Sequence, residues 1–506
     1  MYRKQDPNQL MLEGFVTPFG KLAAGNRWVK QAELTPWDYI EEVYAKNFSP
    51  NSGTPALSAR IAYGALYVSE KMKLTDRETV EYIAENPYAQ YFLGLSEFRQ
   101  EELFDASMMV HFRKRFPAEV INEINLYMHS EPAGMKGPEE IPEADEAPEA
   151  DEASEADEAP GAAEACDEND EEIHDPTTNK GKLLLDATCA PSDIRYPSDI
   201  SLLNEARENL EDMIDELWHL TPRNGHKTDY SRKKAHKGYL AIIKQKQPRR
   251  NKLRKEIRYQ LDCVGKSIAT IGNILLEHGL EVLPEKRIIR LIIICELHRQ
   301  QLKMYNGKSH SVENRIVNLR QPHIRPIVRG KAGKKYEFGQ KISTSVVNGY
   351  TFIEQQSYDN FNEGVTLQES VERYKARFGH YPEAVLADKL YRNRENLRYC
   401  KKWGIRLSGP PLGRPRKQAS KDAKRIARQD NAERNMVESR YGITKRRYSL
   451  ARIMAYLPET GKTQAAMQLL CMNMDVRLRS FASFIFSLAN ALFYKAFSEY
   501  ESKSLA

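Results

Sequence analysis

The strongest constraint on how this chain can fold is a 38-residue run, Pro138 to Asp175, that holds 18 Asp and Glu and no Lys or Arg. Like charges at that density repel, and variants of Glu-Ala-Asp-Glu-Ala-Pro offer little to bury, so the run predicts a disordered linker over about 136–180. Hydrophobic cores must then form on either side of it. The expected division is a helical N-terminal domain at 1–135, the acidic linker at 136–180 and a larger domain at 181–506. The same run masks the charge of the rest. The formal net charge is +6, but setting the run aside leaves 76 basic against 52 acidic residues, an excess of 24. A body that basic points to a polyanionic partner, although ordinary solvated surface would give the same composition.

Several classes are excluded by what the chain lacks. The longest apolar stretch, Ile288 to Cys295, is far too short to span a bilayer, and no signal peptide is recognisable. A cytoplasmic protein with no membrane partner is expected. The six cysteines form no CxxC pair, which argues against a disulfide framework or a zinc site.

The first 130 residues read as helical. Leu57, Ile61, Leu66, Val68 and Met72 recur at helical spacing within Pro55 to Met72. Thr75-Asp-Arg-Glu78 fits a capping box, and that helix should end near Asn86-Pro87. A third helix is expected from about Asp105 to Phe116. With Arg77, Arg99, Arg113, Lys114 and Arg115, these helices suit either a helix-turn-helix DNA reader or a plain bundle.

From Lys182 the pattern changes. Leu183-Leu-Leu-Asp186 reads as a short buried strand ending in a carboxylate. A charged helical region follows, from about Ile200 to Asn318. Its Thr221–Gln260 stretch carries 14 Lys and Arg against two acids, with Tyr230, Tyr239 and Tyr259 interspersed. Contact with a DNA backbone, with the tyrosines stacking or meeting sugar, is one reading; a solvated helix face is the other. The period then becomes two over Tyr336–Val347 and Tyr350–Tyr358, joined by the hairpin signal Asn348-Gly349. A helix (about Leu367 to Phe378), the strand Ala384–Asp388, a helix (about Arg394 to Trp403), the strand Ile405–Ser408 and mostly helical sequence complete the chain. Without the insertion at about 200–320, this is the element order of a ribonuclease-H-like core. The expected class is α/β: a ribonuclease-H-like mixed sheet with a large helical insertion, preceded by an all-α N-terminal domain.

Phosphodiester cleavage near neutral pH needs a strong nucleophile and stabilisation of a crowded anionic transition state. Two magnesium ions held by carboxylates answer both needs, and three converging carboxylates can suffice. Asp186 and Asp388 are placed at the ends of two buried strands, where an open sheet with parallel strands presents ligand groups. On the helix after the last strand, Arg434 and Glu438 are one turn apart and Lys445 lies seven residues further, near the same face. Glu433 is a helical rival to Glu438, but the flanking cations favour Glu438. His323 reads as structural or as a phosphate contact. Arg325, Arg329 and Lys331 lead into the hairpin and are expected to touch DNA.

Three motifs carry a family resemblance: Leu183-Leu-Leu-Asp-Ala-Thr-Cys-Ala-Pro-Ser-Asp-Ile-Arg-Tyr-Pro-Ser-Asp199, then Val385-Leu-Ala-Asp-Lys-Leu-Tyr391, then the Arg434, Glu438, Lys445 series followed by Tyr448-Ser-Leu-Ala-Arg. The chain resembles the bacterial insertion-sequence transposases with a DDE catalytic core and a YREK-type signature. Tyr91-Phe-Leu-Gly-Leu95 and Phe104-Asp-Ala-Ser107 resemble that family's helical N-terminal domain. The signature's tyrosine position is occupied by Asn431. The resemblance implies Asp186, Asp388 and Glu438 as catalytic ligands of two Mg2+ ions, with Mn2+ able to substitute. It implies Arg434 and Lys445 as DNA contacts near the scissile phosphate. The implied activity is cleavage at the element's terminal inverted repeats and joining of the 3′-hydroxyls to target DNA, by a homodimer on double-stranded DNA. A related metal-dependent nuclease and an inactive, domesticated DNA-binding protein are the alternatives; the presence of all three carboxylates speaks against the second.

Overall fold

The computed structural model describes residues 2, 14–18, 20–48, 55–129, 178–220, 227–328, 336–410 and 421–504, with side chains described in the last helix only as far as 483 and not at 423 or 482. The acidic run, Arg329 and Lys331 lie outside the described residues.

The N-terminal part is helical: α1 (Arg27–Leu34), α2 (Trp37–Ala45), α3 (Ala59–Met72), α4 (Asp76–Glu85), α5 (Pro87–Phe92), α6 (Met108–Arg115) and α7 (Ala118–His129). Local sequence sets the ends. Thr75 and Glu78 form the expected capping box at α4. Pro87 stops α4 and opens α5, where its missing N–H costs nothing and Asn86 caps. The aromatic core of these helices, including Tyr63, Phe92 and Phe112, is completed by a helix from the other end of the chain, α15 (Pro458–Ser504), through Leu469, Leu470 and Met474.

Strand β1 (Lys182–Pro191) opens the second part. It leads to four helices, α8 (Asp199–Leu217), α9 (Arg232–Ile243), α10 (Arg250–His278) and α11 (Glu285–Asn306); α8, α10 and α11 share a core around Leu203, Leu210, Met213, Val264, Ile271 and Leu297, and α9 packs in a smaller one with Ile200. Arg207 is buried there, paired with Glu211 and hydrogen-bonded to Gln260 and Asn204. The chain then returns as β2 (Arg325–Val328), β3 (Tyr336–Val347), β4 (Tyr350–Ser357), α12 (Thr366–Phe378), β5 (Ala384–Leu386), α13 (Arg394–Lys402), β6 (Arg406–Leu407) and α14 (Lys421–Arg447), before α15. Among the described residues no helix is long and apolar enough to cross a membrane.

The sheet order is β4-β3-β1-β5-β6, with β2 continuing the β4 edge of β3. Pairings β1–β5 and β5–β6 are parallel and the rest antiparallel. This is a ribonuclease-H-like mixed sheet with a helical insertion after its first strand and an all-α region before it. The β3–β4 turn has Asn348 at φ 50° and Gly349 at φ 79°, the conformation its sequence demands. At Gly339 the backbones of β3 and β1 approach so closely that a Cβ would lie 2.2 Å from the Ala190 carbonyl oxygen. Alternation divides the sheet's faces. Leu183, Leu185 and Val385 pack against α12 and α13, while Leu184, Val346 and Leu386 pack against Val437 and Tyr441 of α14.

Two expectations from the sequence change here. Asp186 is not at a strand end: β1 runs five residues past it, because antiparallel pairing to β3 continues to Pro191↔Gly339 after the apolar run stops. The short strand β2 is an addition that the sequence pattern does not announce.

Candidate active site

Asp186 follows Leu184 on the α14 side of the sheet. Its carboxylate accepts a hydrogen bond from the Ala187 N–H at 2.8 Å. Parallel pairing of β1 with β5 covers only Lys182–Leu184, with Leu184 opposite Leu386. Asp186 lies two residues past that pairing on β1, Asp388 lies two residues past the end of β5, and both line one pocket. Asp388 caps a 3-10 turn, Lys389–Tyr391, by accepting from the Lys389 N–H at 2.6 Å.

Helix α14 brings the third carboxylate. Val437 and Tyr441 seat the helix on the sheet, and Thr444 one turn on meets Met472 of α15. The Tyr441 hydroxyl donates to the carbonyl oxygen of Asp186 at 2.8 Å and lies 2.6 Å from the hydroxyl of Thr344, the residue opposite Asp186 on β3. The adjacent stripe, Arg434, Glu438, Gly442 and Lys445, borders a pocket of about 500 Å³ that Asp186 and Asp388 also line. Arg434 Nη1 stands 3.4 Å from Asp388 Oδ1. Glu433 is turned away, its carboxylate 2.6 and 2.8 Å from Lys182 Nζ, and it does not border the pocket.

Burial pushes the Asp186 carboxyl up to about 6; the Ala187 N–H opposes this, the charges of Glu363 and then Glu438 add to it, and Arg434 pulls back. Carboxylate oxygens from a strand, a strand-end turn and a helix make a donor set that suits a hard divalent cation, and the charge crowding at Asp186 is what such a cation relieves. The side chains are placed around one pocket rather than gathered: among the described residues no group of three His, Cys, Asp or Glu is drawn together tightly enough to hold a metal as it stands.

Other candidates sit elsewhere. Arg325 is in β2 with its guanidinium hydrogen-bonded to the Pro322 and Ile324 carbonyls; its strand neighbours Ile327 and Val328 reach the pocket and it does not. His323 packs edge-on against Tyr358 and does not line the pocket. In the N-terminal helices Arg113 is buried against Asp76 at 2.6 Å, Arg99 pairs with Glu97 at 2.9 Å, and Arg115 meets the Tyr44 hydroxyl at 3.1 Å and the Phe48 ring. Arg77, whose charge acts on Asp105, and Lys114 are exposed. In the insertion, Tyr239 is buried, the half-buried Tyr230 donates its hydroxyl to Glu211 at 2.9 Å, and the half-buried Tyr259 ring lies 5.4 Å from Lys234 Nζ, so Tyr239 is a core group rather than a stacking platform. The lysines and arginines around them, Lys233, Lys234, Lys237, Arg250, Lys252 and Lys255, are largely exposed.

Two pocket residues have no clear signal in the sequence. Lys341 on β3 and Glu363, in the turn before α12, both line the pocket and pair at 2.8 Å. A lysine inside a strand of Ile, Ser, Thr and Val is the available hint for the first. Glu363 lies in a polar loop with no periodicity.

Comparison with known proteins meets the chain at both ends. A family model described as a transposase DDE domain matches residues 385–475, which include Asp388, Arg434, Glu438 and Lys445. One described as a transposase domain matches residues 19–115, most of the N-terminal helices. An uncharacterized protein of Rhizobium meliloti, ORF8 in the nfe locus, is 35% identical over 96 residues, 19% of this chain and 46% of that protein. The chain thus spans about half the length of that relative. No solved structure matches significantly. Fold, motifs and matched models agree on the class: the chain is similar to the DDE transposases of bacterial insertion sequences.

Proposed function

We propose that this chain is a metal-dependent DNA transposase that binds the terminal inverted repeats of its own element, cleaves its ends and joins the freed 3′-hydroxyls to target DNA. The observation that carries the reading is that Asp186, Asp388 and Glu438, from three separate elements, line one pocket with Arg434 and Lys445. In this reading the three carboxylates hold two Mg2+ ions, or Mn2+ in their place. Such cations supply an activated hydroxyl nucleophile and neutralise charge at the leaving oxygen. The chain's own groups do the positioning. Arg434 and Lys445 bind phosphate oxygens beside the carboxylates, as cations bordering an otherwise anionic pocket. Tyr441 holds the backbone of Asp186 against α14, so that Glu438 keeps its distance from the two aspartates. The exposed bases of α9 and α10 grip the DNA backbone without reading sequence. Arg329 and Lys331, which follow the pocket-lining Val328, extend that contact, and the N-terminal helices add to it.

Both element ends must be processed together, so a homodimer on double-stranded DNA, acting in the cytoplasm, belongs to the proposal. The test is incubation with Mg2+ and DNA carrying the inverted repeats that flank the gene. Strand-transfer products from the wild type and none from Asp388→Asn are expected. Cleavage without joining would make the protein a nuclease, and binding alone would make it a DNA-binding relic.

A further inference from the structure

The pocket's charge is the starting point. Its lining holds four carboxylates, Asp186, Glu363, Asp388 and Glu438, against three cations, Lys341, Arg434 and Lys445. Two of those cations already face a carboxylate, Lys341 at Glu363 and Arg434 at Asp388. A pocket lined this way repels a phosphodiester unless cations enter with it. Glu363 sharpens the imbalance, and its position is fixed from several sides. Lys341 also donates to the Phe361 carbonyl at 2.8 Å and lies 5.0 Å from the Phe361 ring, so it anchors the loop to the sheet. The next residue, Gly364, is pressed against the turn that Asp388 begins: a Cβ there would lie 2.7 Å from the Leu390 carbonyl oxygen. Asn396 ties the two turns together, donating to the carbonyls of both Gly364 and Tyr391 at 2.7 Å. The lysine and the glutamate are only 12% and 18% exposed. A surface ion pair needs none of this support.

We infer that Glu363 is a fourth carboxylate of the divalent-cation site, kept in the pocket by Lys341 and set against the Asp388 turn. The inference rests on the transposase reading of the same pocket. Lys341 is a positioning residue in it: the lysine balances Glu363 in the cation-free protein and holds its loop.

The test is Mn2+ binding to the full chain without DNA, followed by the paramagnetic resonance of free Mn2+, with melting checked for each variant. The wild type binds, and Asp186→Asn loses most of the affinity. Glu363→Gln should weaken binding by about tenfold or more, the scale at which supporting groups of metal sites act. Lys341→Gln, which leaves the carboxylate but removes the ammonium that holds it in place, should weaken binding less than Glu363→Gln does. Glu363→Asp, which keeps the charge, should lie between wild type and Glu363→Gln and covers the case in which the glutamine variant melts early. Wild-type affinity in Glu363→Gln, or equal losses in Glu363→Gln and Lys341→Gln, would reduce the pair to a structural tie and overturn the inference while the three-carboxylate reading stands. Unchanged binding in Asp186→Asn would remove that reading and the inference together.

Discussion

Tyr441 shows how single residues set this site. Its ring is buried on α14, and its hydroxyl is shared between the backbone of Asp186 and the side chain of Thr344. Tyr441→Phe keeps the packing and removes both hydrogen bonds, so chemical denaturation should show a loss of about 1–2 kcal/mol. DNA cleavage should fall further than stability does, because Glu438 rides on the same helix. A second buried group makes stability depend on pH. Burial pushes Glu70 from 4.5 to about 7, against the pull of Arg113 and of the Gln468 and Gln464 amides. The folded state therefore binds its proton more tightly than the unfolded chain does, and stability falls as pH rises from about 4.5 through 7, by about 3 kcal/mol at most. Glu70→Gln mimics the protonated form and should melt higher than wild type at pH 8 but not at pH 5. Comparison of the two proteins is needed because His129, depressed to about 4 by burial, acts in the opposite sense as pH falls below 6.5. Of the pocket residues, Asp186 and Asp388 are legible in the sequence because each follows a short apolar run. Glu363 is not, since a loop carboxylate acquires meaning only from the turns packed around it.

Elements with strong local patterns lie where the sequence places them. The β3–β4 hairpin, α12, α13 and the α4–α5 break fall within a residue or two of their sequence signals. Strand β1 looks short in the sequence because its second half is built of small or polar residues, held by pairing to β3 rather than by a run of large apolar side chains. Four-residue β2 carries too few side chains for a period to show. The insertion's basic character is plain in the sequence, but the place of its tyrosines is not: Tyr239 joins a small core with Ile200 of α8, and Tyr230 is tied to Glu211 of α8 and Ser267 of α10. The exposed bases define a prediction at this scale. Replacing Lys233, Lys237 and Arg250 with Glu should weaken binding to element ends and to unrelated duplexes alike. In a salt titration the slope of log affinity against log salt should drop by about 0.9 for each DNA phosphate that is no longer neutralised. Weakening confined to the element's ends would show that these residues read sequence.

At the scale of the molecule, α15 is the joint. It completes the N-terminal core and reaches the sheet, where Asn473 donates to Asn125 of α7 at 2.9 Å and to the Thr351 carbonyl of β4 at 2.7 Å. The sequence shows helices at both ends but not that they share one interior, since a helical stripe does not name its partner. A fragment ending at residue 135 would expose the face that Leu469, Leu470 and Met474 cover. Circular dichroism and dye binding should find it helical but loosely packed, without a cooperative melt; a sharp melt would show an independent domain. The central claim is that Asp186, Asp388 and Glu438 form the reacting centre around which these parts are assembled. The measurement closest to it is the single-turnover rate of element-end cleavage in Mg2+ for Asp186→Asn, Asp388→Asn, Glu438→Gln and Glu433→Gln. The first three should fall by at least about a thousandfold, roughly 4 kcal/mol in the barrier, while Glu433→Gln stays near wild type. Cleavage that survives loss of any of the three, or that fails with Glu433→Gln as it does with Glu438→Gln in folded protein, would contradict the assignment.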